Sequence, residues 1–296
     1  MTEPLAPGSP VAFIGLGAMG RPMATRLAAK FPLRVFDVDP EALAFWGTDG
    51  GAQHGAAVAA SAAAAAAGAA AVVLSLPDSG VVEAVVAELL PALAPGVLIV
   101  DMSSSDPVST RGLGDRAREA GVGFVDAPVS GGVAGAEAGT LTAMVGGTDC
   151  DVRAIGPLLD AMTGTRFHVG GPGAGHAVKA LNNLLSAAGI AITTEAIAIG
   201  SRFGVDPARM IEVFNASTGR NWATEYKFPE FVLQDRWDSG FRLGLQRKDL
   251  DTALDLAAAT ATDAPLATTT AAAWREAEST LGPDADHTEF ARPADR

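Results

Sequence analysis

The sequence predicts an α/β protein in which a doubly wound sheet is followed by an all-helical C-terminal domain, joined to it by a long interdomain helix. Over residues 1–170, short β-branched runs alternate with helical patterns, which is typical of a parallel sheet covered by helices on both faces. A cluster of glycines and proline at 170–175 interrupts this alternation, and no convincing strand follows it. These observations predict two domains, residues 1–170 and residues 171–296.

The strands are predicted from short apolar runs. In chain order these are Val11–Ile14, Leu33–Asp37, Val72–Leu76, Val97–Asp101, Phe124–Ala127, Leu141–Val145 and Phe167–Val169. Helical windows between the earlier strands lie at Met19–Lys30, Val81–Leu90 and Pro107–Ala120. From Phe124 onward there is less helix between strands, so the pairing can turn antiparallel there. The alanine-rich tract 56–71 fits one helix that runs into the third strand.

The second domain is predicted from one long helical pattern and several shorter ones. The pattern from Ala177 to about Phe203 corresponds to a helix of roughly 40 Å. Gly204 can end it, and Asp206 followed by Pro207 is typical of the start of the next helix. Further helices are expected near Gln246–Thr262 and Pro265–Leu281, and the polar stretch 282–296 is expected to be loose.

Composition and charge exclude several classes of protein. Hydrophobic residues make up 48% of the 296 residues and the formal net charge is −13, so the acidic surface would repel nucleic acid and anionic membranes. The single cysteine, Cys150, leaves no intramolecular disulfide, and the scattered histidines give no metal-ligand spacing. The N-terminus lacks the basic and apolar regions of a signal peptide, so we expect a cytoplasmic protein without a metal.

A glycine pattern follows the first strand and opens the first helix. Gly15, Gly17 and Gly20 are separated by Leu16 and by Ala18 and Met19. In a Rossmann-type fold the first glycine permits a tight turn, the second lets the backbone approach a pyrophosphate, and the third allows close packing of helix on strand. The amides at the helix N-terminus then bind the phosphates. The pattern therefore predicts a dinucleotide site, and the alternative is an ordinary glycine-rich turn.

Asp37 ends the second predicted strand, 22 residues after Gly15. A carboxylate at this place can accept hydrogen bonds from both ribose hydroxyls of NAD, and it would repel the 2′-phosphate of NADP. No arginine follows it directly, so NAD is the expected cofactor. Asp39 is a competing candidate, but it precedes Pro40 and is more typical of a helix cap.

Four motifs, in the same order along the chain, resemble those of the β-hydroxyacid dehydrogenase family, which includes 3-hydroxyisobutyrate dehydrogenase and tartronate semialdehyde reductase. They lie at residues 15–24, 126–147, 173–183 and 248–250. The third, Gly-Ala-Gly-His-Ala-Val-Lys-Ala-Leu-Asn-Asn, matches the family's catalytic motif. One departure is Arg26, where the family usually has asparagine.

The resemblance implies a role for each matched residue. Lys179 would be the catalytic acid/base, and Asn183 would orient the substrate. The substrate carboxylate would be held by Ser130, Gly131 and Gly132. The cofactor would be contacted at its nicotinamide end by Ser103, on its adenosine side by Leu76 and Pro77, and from the helical domain by Lys248.

The chemistry of these residues agrees with such roles and leaves alternatives open. Lys179 and Asn183 are four residues apart and share a helical face, which fits either a cleft or a solvated surface. The segment Ser130-Gly131-Gly132 follows a strand, so its amides can form an anion-binding concavity or a plain loop.

Three further residues have roles that the sequence leaves open. His176 precedes Lys179 by three residues and is more typical of a structural histidine than of a catalyst. Arg220 and Trp222 can shape a substrate pocket, and Trp222 fits the core equally well.

We therefore expect an oxidoreductase that transfers a hydride between the nicotinamide of NAD and a small 3-hydroxy acid similar to 3-hydroxyisobutyrate. The same chemistry in reverse, that of a tartronate semialdehyde reductase, is one alternative. A dinucleotide-binding sensor without catalysis is another, and the presence of both Lys179 and Asn183 argues against it. Imine reductases also resemble this fold, but they usually lack a lysine at the position of Lys179.

The long helix also predicts assembly. Apolar residues along it would be exposed to water unless another surface buries them. Examples are Ile190, Ile192, Ile197 and Ile199. We therefore expect a homodimer or homotetramer with the helical domain at the interface.

Overall fold

The computed structural model describes residues 3–47 and 55–292. The chain divides into two compact units, Met1–Lys179 and Ala180–Arg296. The first contains a largely parallel sheet with helices, and the second is helical and includes most of the 30-residue helix Ala174–Phe203. The predicted fold class is confirmed, whereas the exact domain boundary at residue 170 stays a prediction.

The sheet of the first unit has a parallel core with an antiparallel addition. Its described strands are β1 Val11–Ile14, β2 Leu33–Phe36, β3 Ala56–Val58, β4 Ala71–Leu74, β5 Leu98–Asp101, β6 Gly123–Asp126, β7 Val129–Ser130, β8 Leu141–Gly146 and β9 Thr163–Gly170. Their spatial order is β3-β2-β1-β4-β5-β6-β8-β7, with β9 paired to β8. Neighbours from β3 to β6 are parallel, and β8 is antiparallel to both β6 and β7. The antiparallel pairing expected after Phe124 is therefore confirmed for β8 with β6 and β7, whereas β9 is parallel to β8.

Strand β1 explains why the strands of the parallel core are continuous apolar runs. Phe13 packs in one buried cluster, and its neighbours Ala12 and Ile14 pack in another, because successive side chains point to opposite faces of a sheet. All four residues of β1 are buried, so both faces of the sheet select apolar side chains.

The helices of the first unit surround this sheet. They are α1 Gly20–Ala28, α2 Pro40–Gly47, α3 Ala62–Ala66, α4 Ser79–Leu89, α5 Pro107–Glu119, α6 Gly132–Ala138, α7 Asp149–Ala154 and α8 Gly156–Met162. Arg26, the residue that departs from the family pattern, lies near the end of α1 and donates to the carbonyl oxygens of Ala161 and Glu137 at 3.2 and 3.0 Å. The substitution thus connects α1 to two distant segments of the same unit.

The alanine-rich tract contains an edge strand as well as a helix, so the prediction of one helix over 56–71 is wrong at its start. Ala56–Val58 forms β3 and pairs with β2. The helix α3 begins only after Ser61, whose Oγ accepts a hydrogen bond from the Ala64 amide at 3.0 Å. Pairing with the open edge of β2 overrides the helix propensity of alanine, which is the highest of any residue but which tertiary contacts commonly outweigh.

The second unit is built from long helices joined by short irregular turns. Its described elements are α9 Ala174–Phe203, α10 Pro207–Asn215, a π-helix Ala223–Lys227, a single turn Phe228–Glu230, a 3₁₀ turn Val232–Gln234, α11 Leu243–Ala259, α12 Pro265–Leu281 and a 3₁₀ helix His287–Ala291. Gly204 follows α9 with a φ of 97°, and Asp206 caps α10 by accepting from the Arg209 amide at 3.0 Å. Both sequence signals for these boundaries are confirmed.

The chain after Gly282 is not loose as expected but folds back onto α11 as far as Arg292. Asp286 forms a β-bridge with Arg242, and with Glu289 it forms a capping box at the start of the last 3₁₀ helix. The expectation from polarity was wrong because these polar side chains bond to backbone groups. Residues 293–296 lie outside the described residues.

The core of the second unit ties α12 to α9. The fully buried Trp274 donates from its indole nitrogen to the Ala187 carbonyl at 3.3 Å. Of the isoleucines expected to need cover, Ile190 is buried in this core and Ile197 packs against it, so that expectation is wrong for these two. Ile192 and Ile199 are exposed.

Candidate active site

The glycine loop lies at the carboxyl end of β1, between the parallel neighbours β2 and β4. Ligands bind at such a switch point of a doubly wound sheet. Gly15 has a φ of 97°, and a Cβ there would lie 2.1 Å from the Ser75 carbonyl oxygen. A Cβ on Gly20 would lie 1.9 Å from the Gly15 carbonyl oxygen. The turn itself therefore requires glycine at both positions.

Gly17 differs from the other two glycines because a Cβ added there would meet no atom within 4 Å. Its backbone faces open space, as expected for a position that a ligand approaches closely. The Arg21 amide donates to the Gly17 carbonyl at 3.0 Å as the helix begins, and the amides before it have no acceptor within a helix. The loop therefore fits the pyrophosphate of a dinucleotide.

Asp37 is held directly against this loop. Its Oδ2 accepts a hydrogen bond from the Leu16 amide at 2.6 Å, and its Oδ1 accepts from the Asp39 amide at 2.9 Å. A carboxylate has about four acceptor positions, so others remain for ribose hydroxyls. Asp39 accepts from the Glu41 amide at 2.9 Å, which is the capping role expected of it.

The structure brings two of the predicted cofactor residues together. The Leu76 amide donates to the buried Ser103 hydroxyl at 2.9 Å, so the segment with Leu76 and Pro77 lies beside the loop that follows β5. That loop is ordered by Asp101, whose carboxylate accepts from the Ser103 amide at 2.9 Å and from the Ser105 hydroxyl at 3.0 Å. The role of Asp101 could not be predicted from the sequence, because its bonds to Ser103 and Ser105 depend on how the loop after β5 folds.

A second buried carboxylate, Asp126, fixes the start of α9. Its two oxygens accept from the amides of Gly173 and His176 at 2.7 and 2.8 Å. Burial raises the pKa of this carboxyl group, while the hydrogen bonds and the nearby His176 oppose the rise. Asp126 thereby anchors the helix one turn before Lys179.

The ring of His176 is buried and bonded at both nitrogens. Its Nε2 donates to the Ser103 carbonyl at 3.1 Å, because that oxygen can only accept, and its Nδ1 lies 2.8 Å from the Thr110 hydroxyl. This environment suits the structural role that the sequence favoured for His176.

The predicted carboxylate-binding segment has an unusual backbone. Gly131 and Gly132 have φ angles of 128° and 63°, a consecutive pair that favours glycine. Ser130 pairs with Thr142 in the sheet, so the segment begins from a fixed strand. Consecutive amides in such turns can face one anion, and their use for the substrate stays a prediction.

Asn183 is fixed by α11. It is only 7% exposed, its side-chain amide donates to Asp249, and its backbone carbonyl accepts from Gln246 at 3.1 Å. A solvated face is therefore the wrong interpretation for Asn183. Lys179 lies one turn earlier on α9 and is half-buried. The part that Asp249 and Gln246 play could not be predicted from the sequence, because both are more than 60 residues from Asn183 along the chain.

The remaining predicted residues belong to the second unit and are half-buried or exposed. Lys248 is half-buried on α11, next to Asp249. Trp222 is 57% exposed, so the core alternative is wrong for it, and its ring lies 4.9 Å from that of Tyr226. Arg220 forms an exposed ion pair with Glu225 at 3.5 Å.

Comparison with known proteins shows which family the chain belongs to. Residues 10–170 match the NAD binding domain of 6-phosphogluconate dehydrogenase, and residues 173–294 match the family described as NAD-binding of NADP-dependent 3-hydroxyisobutyrate dehydrogenase. The chain belongs to the β-hydroxyacid dehydrogenase family. Like other members, it is an NAD(P)-dependent oxidoreductase that acts on CH–OH donors.

Individual relatives agree with this membership. The chain is 40% identical to 2-(hydroxymethyl)glutarate dehydrogenase of Eubacterium barkeri, over 83% of this chain and 81% of the relative. It is also 40% identical to the NAD-dependent L-serine dehydrogenase of Pseudomonas aeruginosa, over 86% of this chain and 88% of the relative. The solved structure of Mycobacterium tuberculosis 3-hydroxyisobutyrate dehydrogenase with L-serine superposes with a TM-score of 0.89, at 34% identity, covering 96% of this chain and 98% of that one.

Proposed function

We propose that this β-hydroxyacid dehydrogenase oxidises small 3-hydroxy acids with NAD, and that Lys179 is its acid/base. The observation that carries the proposal is the pair on α9, in which Lys179 is followed one turn later by an Asn183 that Asp249 and Gln246 hold in place. A buried, oriented amide next to a lysine is suited to positioning a hydroxyl group for proton transfer.

The substrates named for the relatives support this substrate class. 2-(Hydroxymethyl)glutarate, L-serine and 3-hydroxyisobutyrate each carry a primary hydroxyl on the carbon β to a carboxylate. In the proposed reaction, Asn183 orients this hydroxyl and Lys179 removes its proton. The amine of Lys179 must be unprotonated for this step, and it returns the proton when the reaction runs as a reduction.

The cofactor, when bound, accepts the hydride at its nicotinamide ring. The protein contributes the glycine loop that fits the pyrophosphate and the carboxylate of Asp37 beside it. Preference for NAD over NADP follows in this proposal from Asp37, since a 2′-phosphate would meet its negative charge. The amides of Ser130, Gly131 and Gly132 would hold the substrate carboxylate.

A reductase acting on tartronate semialdehyde is the same chemistry in reverse, so the two differ only in direction. A turnover screen over 3-hydroxyisobutyrate, L-serine, 2-(hydroxymethyl)glutarate and tartronate semialdehyde, with NAD and NADP in both directions, tests the proposal. We expect turnover of at least one 3-hydroxy acid with NAD. Binding of NAD without turnover of any of them would instead support a sensor that has lost catalysis.

We further propose that the protein is a homodimer or homotetramer assembled through α9. Leu185, Ile192 and Ile199 follow one another at intervals of seven residues and are 74%, 62% and 69% exposed, which is the spacing of a helix–helix seam. By length and mean hydropathy alone, α9 is apolar enough to cross a membrane. The same helix carries Lys179, Asn183 and Glu195, which are costly to place in lipid. A second copy of the chain is therefore the better partner to bury the apolar stripe.

A further inference from the structure

The second unit contains a buried lysine that the proposed reaction does not use. Lys227 ends the π-helix Ala223–Lys227 and is only 9% exposed. Its Nζ lies 5.2 Å from the ring centroid of Phe231 and 5.5 Å from that of Tyr226. Aromatic faces attract an ammonium group, but they do not neutralise its charge.

The ammonium group of Lys227 has no direct ion pair with any of the described residues. Within 3–47 and 55–292, its interactions are those with the two aromatic rings and with the charge of Asp286. The carboxylate whose charge acts on it is Asp286, and the oxygens of Asp286 already accept hydrogen bonds from Ser239, Gly240 and Thr288. Burial lowers the pKa of Lys227, and the negative charge of Asp286 opposes this fall, as expected for a largely buried cation whose nearest described carboxylate is not in direct contact with it.

The element that carries Lys227 is held firmly. The side-chain oxygen of Asn221 accepts from the Ala223 amide at 2.8 Å, and its backbone amide donates to the Thr224 hydroxyl at 2.9 Å. Its side chain also donates to Thr193 on α9 at 3.4 Å. π-helices are rare and occur frequently at functional sites, so a buried charge at the end of one is a candidate for ligand binding.

Lys227 acts electrostatically on a histidine that lies next to the support of Asn183. Gln246 donates to the Asn183 carbonyl at 3.1 Å, and its Oε1 lies 3.5 Å from Nδ1 of His287. The charge of Lys227 is close enough to help lower the pKa of His287. Lys227 therefore lies in the same part of the second unit as the side chains that hold Asn183, the residue that we assign to substrate orientation.

We propose that Lys227 is a specificity-determining residue that binds a second anionic group of the substrate, remote from the reacting hydroxyl. The substrate class is then a 3-hydroxy acid whose substituent at carbon 2 ends in a carboxylate. An arriving carboxylate supplies the direct ion pair that Lys227 lacks among the described residues, and a hydrogen bond between two charged groups is strong. The ring of Tyr226 lies 5.5 Å from the ammonium group, and Trp222 packs against that ring, so the two provide apolar surface on this side. This inference rests on the proposed function and narrows it.

The test compares two substrates with the same reacting end. The ratio of kcat/KM for 2-(hydroxymethyl)glutarate to that for 3-hydroxyisobutyrate is measured for the wild type, for Lys227→Met, and for Lys30→Met. Lys30 is exposed, so its substitution matches the change in net charge. We expect Lys227→Met to lower the ratio by about 10- to 100-fold, the worth of a charged hydrogen bond, and Lys30→Met to leave it unchanged. An unchanged ratio in Lys227→Met, or a wild type that prefers 3-hydroxyisobutyrate, would overturn the inference.

A binding measurement separates this inference from the proposed function. Glutarate carries the distal carboxylate and no hydroxyl, so calorimetric titration of the NAD-bound enzyme with glutarate and with butyrate does not depend on turnover. We expect the wild type to bind glutarate at least tenfold more tightly than butyrate, in line with the same hydrogen bond, and Lys227→Met to lose this difference. Equal binding of the two acids by the wild type contradicts the role of Lys227, whereas selective glutarate binding without turnover of any hydroxy acid contradicts the proposed reaction alone.

Folding of the variant is not expected to interfere. Methionine fills a similar volume and removes a cation whose burial is costly, so the Tm of Lys227→Met should equal or exceed that of the wild type. Lys227→Gln is a second variant that keeps a polar end group without the charge. It should lose the preference for the dicarboxylate in the same way, and retention of the preference in a folded Lys227→Gln would also count against the inference.

Discussion

The side-chain amide of Asn183 donates a hydrogen bond to the carboxylate of Asp249, 66 residues further along the chain. Both side chains are buried, and the contact sets which way the Asn183 amide group faces. A residue that orients a substrate can do so only if its own rotamer is fixed. Asp249 is therefore a positioning residue for the proposed reaction.

Asp249→Ala should lower kcat/KM by about one to two orders of magnitude, because Asn183 loses the group that orients it. Asn183→Ala should lose a similar amount, and the double variant should lose little more than either one alone. Steady-state kinetics of all three measures this coupling. Asp255→Ala, an exposed position on the same helix, serves as the control, and additive losses would contradict the positioning role.

Asp37→Arg should reverse the preference between the two cofactors. The variant loses the acceptor for the ribose hydroxyls of NAD and offers a cation to the 2′-phosphate of NADP, so kcat/KM with NAD should fall by about 10- to 100-fold. The ratio of kcat/KM with NAD and with NADP reports the change. Asp39→Asn keeps the helix cap and should leave the ratio unaltered. A wild type that turns over faster with NADP would show that Asp37 has been misassigned.

His287 should make stability depend on pH. Burial, with a further contribution from Lys227, lowers the pKa of His287 from 6.5 to about 3. Between these values the unfolded chain binds a proton that the native protein does not, so the free energy of unfolding falls as the pH is lowered below 6.5. This one group contributes up to about 1.4 kcal/mol per pH unit.

Urea denaturation at several pH values between neutral and moderately acidic conditions measures this slope. His287→Gln should flatten it by about one proton. An equal slope in wild type and His287→Gln would mean that His287 accepts its proton in the native protein.

The apolar stripe on α9 predicts assembly in solution. Light scattering at micromolar concentration should give a dimer or tetramer mass, and Ile192→Lys should shift the protein toward the monomer because a charge would enter the seam. Val213→Lys, an exposed apolar position on α10, is the matched control. A monomer mass for the wild type would contradict the assembly.

The sequence was most informative where a residue's role depends on its immediate neighbours. Gly15, Gly17 and Gly20 each have the surroundings that the spacing predicted, and Asp39 caps its helix. The shared helical face of Lys179 and Asn183 could be predicted in the same way, from their spacing and from the motif that contains them.

Roles that depend on partners distant in the sequence could not be predicted from it. Asp126 binds the amides of Gly173 and His176, which lie 47 and 50 residues away in sequence, and Asp249 binds Asn183 over a similar separation. Strand β3 was missed for a related reason, since pairing with β2 overrides the helix propensity of its alanines. These contacts exist only after the fold has formed.

The central claim is that Lys179 is the acid/base, and Lys179→Ala tests it most directly. We expect kcat to fall by roughly 10²- to 10⁴-fold, the usual worth of general acid–base catalysis, while titration with NAD gives an unchanged Kd, because the glycine loop does not involve this residue. Lys179→Arg should not restore turnover, since a guanidinium group does not release its proton near neutral pH. A near-normal kcat for Lys179→Ala, or loss of folding and NAD binding together with activity, would contradict the assigned role.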